Sequence, residues 1–162
     1  MSTIQISGSS LSANFSIELT GSKSETNRLL LLAALYPNLK LLNDSNAHDV
    51  SVMKKALQLS SGTVDIHHAG TAMRFLTAYF SVTENAEVLL TGSDRMKQRP
   101  IALLVDALRA LGATIEYRGE EGYPPLHIKG AVLPHSSVSI AANVSSQYLS
   151  ALCLVGAKLP EG

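Results

Sequence analysis

Three times along this chain a small or hydroxyl-bearing residue opens a helical pattern that runs straight into an apolar stripe. This device constrains the fold more than any other feature. The openings are Ser22-Lys-Ser-Glu-Thr-Asn-Arg28, His68-Ala-Gly-Thr-Ala-Met-Arg74 and Asn143-Val-Ser-Ser-Gln-Tyr148. Stacked on one another, they bring Arg28, Arg74 and Tyr148 to the same register. Short segments of strand character lie between them, so the chain reads as alternating strands and helices, an α/β pattern. The openings are unequally spaced, which speaks for a local device repeated inside βαβαββ-like units and against a solenoid.

The individual elements follow from periodicity. Phe15, Ile17 and Leu19 alternate with polar residues as in a half-buried strand; Gly21 breaks it and Ser22 opens a helix through about Leu35. Leu39, Leu41 and Leu42 suggest a second strand, and Asp49 is placed to cap a helix with Val52, Met53, Ala56 and Leu57 on its apolar face. Residues 63–67 read as a strand, 72–82 as a helix and 88–90 as a strand. Pro100 suits the first turn of a helix whose stripe, Ile101, Leu104, Val105, Leu108 and Leu111, stops at Gly112. Residues 114–117 and 126–128 flank a Gly/Pro-rich turn as in a hairpin. Residues 138–140 predict a further strand, and Ser145 or Ser146 starts the last helix.

With 162 residues, 46% apolar and 16% charged, the chain has the length and composition of one ordinary soluble domain. Its 13 Lys and Arg balance 13 Asp and Glu, which argues against a general nucleic-acid binder and makes any basic site a local one. The longest strongly apolar run, residues 29–35, is too short to span a bilayer. The opening Met-Ser-Thr-Ile-Gln has neither the basic nor the apolar region of a signal peptide, so a cytoplasmic protein is expected. Cys153 has no second cysteine to pair with, and its apolar helix predicts a core position. No cluster of four metal ligands is visible.

Chemistry is suggested by what surrounds the helix starts. A helix N-terminus presents unpaired N–H groups and partial positive charge, a natural place for an anion. Lys23, Ser24 and Arg28 surround the first start; Gly70, Thr71 and Arg74 surround the second; Ser145, Ser146 and Gln147 surround the third. Arg95, Lys97 and Arg99 form a further basic cluster in a loop before Pro100. Each has a plainer reading, serine caps and solvated charge, and for Gly70 a tight connection. Their coincidence points to a cleft for small substrates carrying more than one anionic group, since guanidinium forks suit carboxylate and phosphate. Of His67 and His68, adjacent in a strand, only one can face such a cleft. Tyr79 and Phe80 read as core, Glu120 and Glu121 as solvated. No carboxylate pair, metal motif or nucleophile triad is present, so the residues taken alone reach anion binding and no particular reaction.

Four stretches carry a resemblance: Leu19-Thr-Gly-Ser-Lys-Ser-Glu-Thr-Asn-Arg28, Ala69-Gly-Thr-Ala-Met-Arg74, Thr91-Gly-Ser-Asp-Arg-Met-Lys-Gln-Arg-Pro100 and Val144-Ser-Ser-Gln147. In this order they resemble the 5-enolpyruvylshikimate-3-phosphate synthase family, over nearly the whole chain. The resemblance implies an incomplete enolpyruvyl transferase fold, an inside-out α/β barrel of βαβαββ units, and no metal or organic cofactor. It implies transfer of the enolpyruvyl group of phosphoenolpyruvate to the 5-hydroxyl of shikimate 3-phosphate, with release of phosphate. On the family's pattern Lys23, as catalytic residue, contacts both substrates; Ser24, Arg28, Ser145 and Ser146 hold shikimate 3-phosphate; Gly70, Thr71 and Arg99 hold phosphoenolpyruvate; and Gln147 lies between the two.

The resemblance also brings departures. His68 and Phe75 stand where the family often has Asn and Pro, beside the expected phosphoenolpyruvate pocket. Family members are longer and have two similar domains. Residues 1–20 are therefore expected as the first strand of one domain and residues 21–162 as most of the other, ending in its third unit. The 162-residue chain alone is expected to be inactive, and the full-length protein to be a monomer. Alternatives are the related UDP-N-acetylglucosamine enolpyruvyl transferase, whose motifs fit less well, and a non-catalytic anion-binding module.

Overall fold

A single helix with almost no polar face sits at the centre of the molecule. A computed structural model describes residues 4, 5, 8, 14, 16–141, 143 and 145–160. The elements in chain order are α1 (Lys23–Leu35), α2 (His48–Ala56), β1 (Ser61–Asp65), α3 (Gly70–Val82), β2 (Glu87–Thr91), α4 (Asp94–Lys97), α5 (Ala102–Ala110), β3 (Thr114–Tyr117), β4 (Leu126–Lys129) and α6 (Ser146–Gly156). In α3, Gly70 and every residue from Ala72 to Ser81 are buried. A helix apolar all round must be covered on every side. The sheet lies against α3, and α1, α2, α5 and α6 pack around it. Its few polar side chains turn inward on the helix itself: Thr77 and Ser81 donate to the carbonyls of Met73 and Thr77, both at 2.7 Å.

The sheet has the order β1-β2-β4-β3. β1 and β2 are parallel, joined by the α3 crossover, while β4 runs antiparallel to both β2 and β3. β1-α3-β2-α5-β3-β4 is thus one βαβαββ unit, with α4 inserted after β2. Period-two alternation sends Val64, Val88, Leu90, Ile115, Leu126 and Ile128 into the core. The opposite face carries a charged ladder in which Glu87 pairs with Lys129 and His127, both at 3.2 Å.

Arg109 holds α5 to β3. Its Nε and one Nη donate to the Ile115 carbonyl at 3.0 and 2.7 Å, and its guanidinium lies 5.0 Å from the Tyr117 ring centre. The Tyr117 hydroxyl is buried with no hydrogen-bond partner among the described residues. Burial, and then the Asp106 carboxylate, push this phenol from 10.0 up to about 12, against the opposing pull of Arg109. The stability that the neutral phenol contributes is complete below about pH 10 and is lost as pH rises through about 12. In an alkaline ultraviolet titration, one of the five tyrosines should ionise late, and Tyr117→Phe should remove that late phase.

Where periodicity reported burial on one helix face or sheet face, elements form, but with shifted ends. The strand expected over 63–67 is β1 (Ser61–Asp65), which leaves His67 and His68 in the turn after it, and the helix expected to hold Pro100 in its first turn begins only at Ala102. Where periodicity reported one-sided burial without a neighbour, elements do not form. Residues 16–20 form no strand, with Ile17 and Leu19 68% and 79% exposed, and among the described residues no strand of the sheet lies beside them to take their N–H and C=O groups. Phe15, the first residue of that expected strand, lies outside the described residues. Residues 39–42 likewise form no strand, and Leu42 is exposed. Residues 138–140 are irregular too; Val138 and Ile140 pack on the core from one side without joining a ladder. The helix expected to start after Asp49 starts at His48 with Ala47 as its cap, so Asp49 belongs to its first turn. Cys153 is exposed, because α6 buries the face carrying Tyr148, Ala151 and Val155 and turns Cys153 outward. Among the described residues no helix is long and apolar enough to cross a membrane.

Candidate active site

The helix starts singled out by the sequence come together at one end of the molecule. Arg28 of α1 donates to Ser150 of α6 at 3.4 Å, and its guanidinium stacks 5.3 Å from the Phe75 ring of α3. All three residues sit in the second turn of their helices, so α1, α3 and α6 run side by side with their N-termini at the same end. At that end Gln147 of α6 donates from Nε2 to the Thr71 hydroxyl of α3 at 3.3 Å.

The three starts differ in how their N–H groups are met. Ser22 caps α1 by accepting from Glu25 N–H at 3.4 Å, and Ser145 caps α6 by accepting from Gln147 N–H at 3.3 Å. The cap of α3 is Ala69, whose side chain can accept nothing, so the first turn of α3 has no side-chain cap. Against this start lies Arg99, delivered by the turn after α4. An atom built as Cβ on Gly70 would fall onto the Arg99 guanidinium, with Cζ at 2.9 Å and an Arg74 Nη at 3.2 Å. Glycine is required here for close approach.

Arg74, one turn further along α3, is 6% exposed. One Nη donates to the Gly70 carbonyl at 2.9 Å and the other to the Pro100 carbonyl at 3.5 Å, while its buried Nε has no partner among the described residues. Burial, and then the charge of Arg99 beside it, hold this guanidinium below the usual arginine range. Tyr148 Oη donates to the same Pro100 carbonyl at 2.7 Å.

Two cavities meet at Arg99. One, about 560 Å³, is an open cleft lined by Arg74, Arg99, Pro100, Ser145, Ser146, Gln147 and Tyr148. The other, about 500 Å³, is lined by His68, Arg95, Met96 and Arg99. His68 is fixed there by a 2.7 Å hydrogen bond between its Nδ1 and the Ser93 hydroxyl. Neither cavity has Asp or Glu among its described lining residues. Helix N–H groups, serine hydroxyls and guanidinium groups around water-accessible space are the chemistry of anion recognition.

The structure therefore gathers Gly70, Thr71, Arg99, Ser145, Ser146 and Gln147, with Arg28 one layer behind. Lys23 and Ser24 stand at the α1 start, outside the lining of both cavities, and Lys23 pairs with Asp49 of α2 at 3.5 Å. The Ser24 carbonyl accepts from Arg28 at 2.8 Å. Of the two departures, His68 faces the Arg99 cavity, whereas Phe75 is fully buried beneath Arg28 and lines neither cavity. Val144, part of the fourth motif, lies outside the described residues. Sequence reasoning gave no site role to Tyr148 or to the Pro100 carbonyl. The shared register of Arg74 and Tyr148 was the one signal that could have found them.

Fold and site define a mixed α/β protein that assembles helix starts and arginines around a small-anion cleft. The family model for EPSP synthase (3-phosphoshikimate 1-carboxyvinyltransferase) matches residues 37–162. The chain is 50% identical over 147 residues to 3-phosphoshikimate 1-carboxyvinyltransferase of Bacteroides fragilis strain YCH46, covering 90% of this chain and 36% of that protein. It is 40% identical over 168 residues to the enzyme of that name from Marinomonas sp. strain MWYL1, covering 88% and 39%. Among solved structures, EPSP synthase from Acinetobacter baumannii shares the fold with a TM-score of 0.72 at 20% identity, over 88% of this chain and 38% of that one. The chain belongs to the EPSP synthase family. It spans well under half the length of these relatives.

Proposed function

We propose that this chain forms one wall of the substrate cleft of a 3-phosphoshikimate 1-carboxyvinyltransferase. The whole protein would act on two small molecules, joining the 5-hydroxyl oxygen of shikimate 3-phosphate to C2 of phosphoenolpyruvate as the hydroxyl gives up its proton and C3 gains one. Loss of phosphate from C2 and of a proton from C3 then re-forms the C2–C3 double bond and gives the enol ether. In this reading residues 1–20 belong to a second domain and residues 21–162 to the wall described here. The protein works as a cytoplasmic monomer, without a cofactor and without nucleic acid or membrane.

Arg99 and the N–H groups at Gly70 and Thr71 would receive the phosphoenolpyruvate anion. Ser145 and Ser146, with Ser24 and Arg28, would hold shikimate 3-phosphate, and Gln147 would stand between the two. Lys23 would be the catalytic cation, exchanging Asp49 for the substrates. The observation that carries this reading is the placement of Arg99 over Gly70, facing Ser145, Ser146 and Gln147 across one cleft. With no carboxylate among the described lining residues of either cavity, the wall supplies charge and orientation and leaves proton transfer to groups elsewhere.

Titration calorimetry tests the assignment. Arg99→Ala should weaken phosphoenolpyruvate binding by about tenfold or more, and Arg28→Ala should do the same to shikimate 3-phosphate, as loss of a charge-assisted hydrogen bond requires. Absence of binding by the unaltered chain at millimolar ligand, or variants that bind as it does, would refute the map. In a coupled phosphate-release assay the 162-residue chain should show no turnover, and sustained turnover would refute the division of labour.

A further inference from the structure

Pro100 has no N–H to anchor it, and it lies in the irregular link between the end of α4 and the start of α5. On its two sides, Arg99 N–H donates to the Met96 carbonyl at 3.0 Å and Ile101 N–H to the Gly122 carbonyl at 2.9 Å. The Pro100 carbonyl is claimed by two other elements, Tyr148 Oη from α6 at 2.7 Å and an Arg74 Nη from α3 at 3.5 Å. A carbonyl oxygen has two lone pairs and can serve both. Tyr148 is 4% exposed and Arg74 6%, so neither donor can turn to solvent instead.

The same two residues touch the rest of the cleft. Arg74 donates to the Gly70 carbonyl, and Gly70 is the residue against which the Arg99 guanidinium lies. Tyr148 follows Gln147, which donates to Thr71. Arg99 has no carboxylate partner among the described residues, so no ion pair sets its position. We infer that Tyr148 and Arg74 are positioning residues for Arg99, which by gripping the Pro100 carbonyl from two helices hold the Arg99–Pro100 unit over the start of α3. The inference deepens the proposed function and rests on it for the identity of the ligand, while the grip itself is a property of the chain.

Tyr148→Phe removes the hydroxyl and keeps the ring, so the core stays filled. In the 162-residue variant, amide hydrogen exchange at Arg99 and Ile101 should speed up at least fivefold, with Val88 in the sheet within twofold of its original rate. Phosphoenolpyruvate binding should weaken about threefold to tenfold, the range for one neutral hydrogen bond, and shikimate 3-phosphate binding should change less than twofold. Unchanged exchange at Arg99 and Ile101 overturns the inference whatever the ligands do. Equal acceleration at Val88, or equal weakening of both ligands, also overturns it, because a merely structural role predicts that result. Local acceleration in a chain that binds neither ligand upholds the grip and overturns only the substrate reading.

Discussion

Replacing Gly130 with alanine should destabilise the chain by at least about 3 kcal/mol, since backbone on both sides must move to make room. Gly130 leaves β4 against the C-terminal end of α3, with its N–H on the Ala86 carbonyl at 2.8 Å and the next N–H, of Ala131, on the Ser81 carbonyl at 3.2 Å. A Cβ there would run into the carbonyl oxygens of Phe80 and Thr83, with Thr83 C at 2.9 Å. Those carbonyls end the central helix and cannot yield without disturbing it. For a chain of this size the loss corresponds to a fall in Tm of about 6–12 °C or more, readable in a thermal melt. Gly156, at the end of α6, is the control, because a Cβ there meets nothing within 4 Å. Gly156→Ala should leave Tm unchanged or slightly raised. Equal melting of the two variants would contradict the packing described for Gly130.

Gly70→Ala should give the opposite profile, a sound fold and a damaged site. Here the atoms nearest the new Cβ are side-chain ends, the guanidinium groups of Arg99 and Arg74. Arg99 is exposed and can swing away, and alanine in a helix is favoured over glycine by up to about 1 kcal/mol. Stability should therefore hold or rise. The displaced Arg99 can no longer lie over the first turn of α3, and the Cβ itself fills the approach to its N–H groups. Phosphoenolpyruvate affinity should fall by about tenfold or more in calorimetry, as if a charged hydrogen-bond partner had been removed. A variant that binds normally but melts early would show that Gly70 serves packing and not ligand approach.

Much of the fold was legible because burial leaves a periodic trace. The stripes of α1 and α5 and the alternation of β2, β3 and β4 each record a face turned to the core. What periodicity cannot record is where a partner comes from. Leu39, Leu41 and Leu42 look like strand residues, and so do Val138 and Ile140, yet no ladder neighbours them in the structure. In the sequence α4 looks like a charged loop because four residues are too short to show a period. Cys153 looks like a core residue because its helix is apolar overall, although only one face of that helix is covered.

The candidate site divides in the same way. Gly70, Thr71, Arg99, Ser145, Ser146 and Gln147 could be picked out because a helix start, a glycine and a guanidinium each have local chemistry that a sequence displays. Their grouping into four ordered motifs was enough to reach the family. The pairing of Lys23 with Asp49, the stacking of Arg28 on Phe75 and the two donors on the Pro100 carbonyl could not be read that way. Local pattern accounts for the βαβαββ unit, the helix starts and the kinds of group that face an anion. Which groups meet is set by packing: Arg74 with Pro100 across 26 positions, Tyr148 with Pro100 across 48 and Gln147 with Thr71 across 76. Those meetings depend on how several helices pack around α3 at once, and no local pattern carries that information.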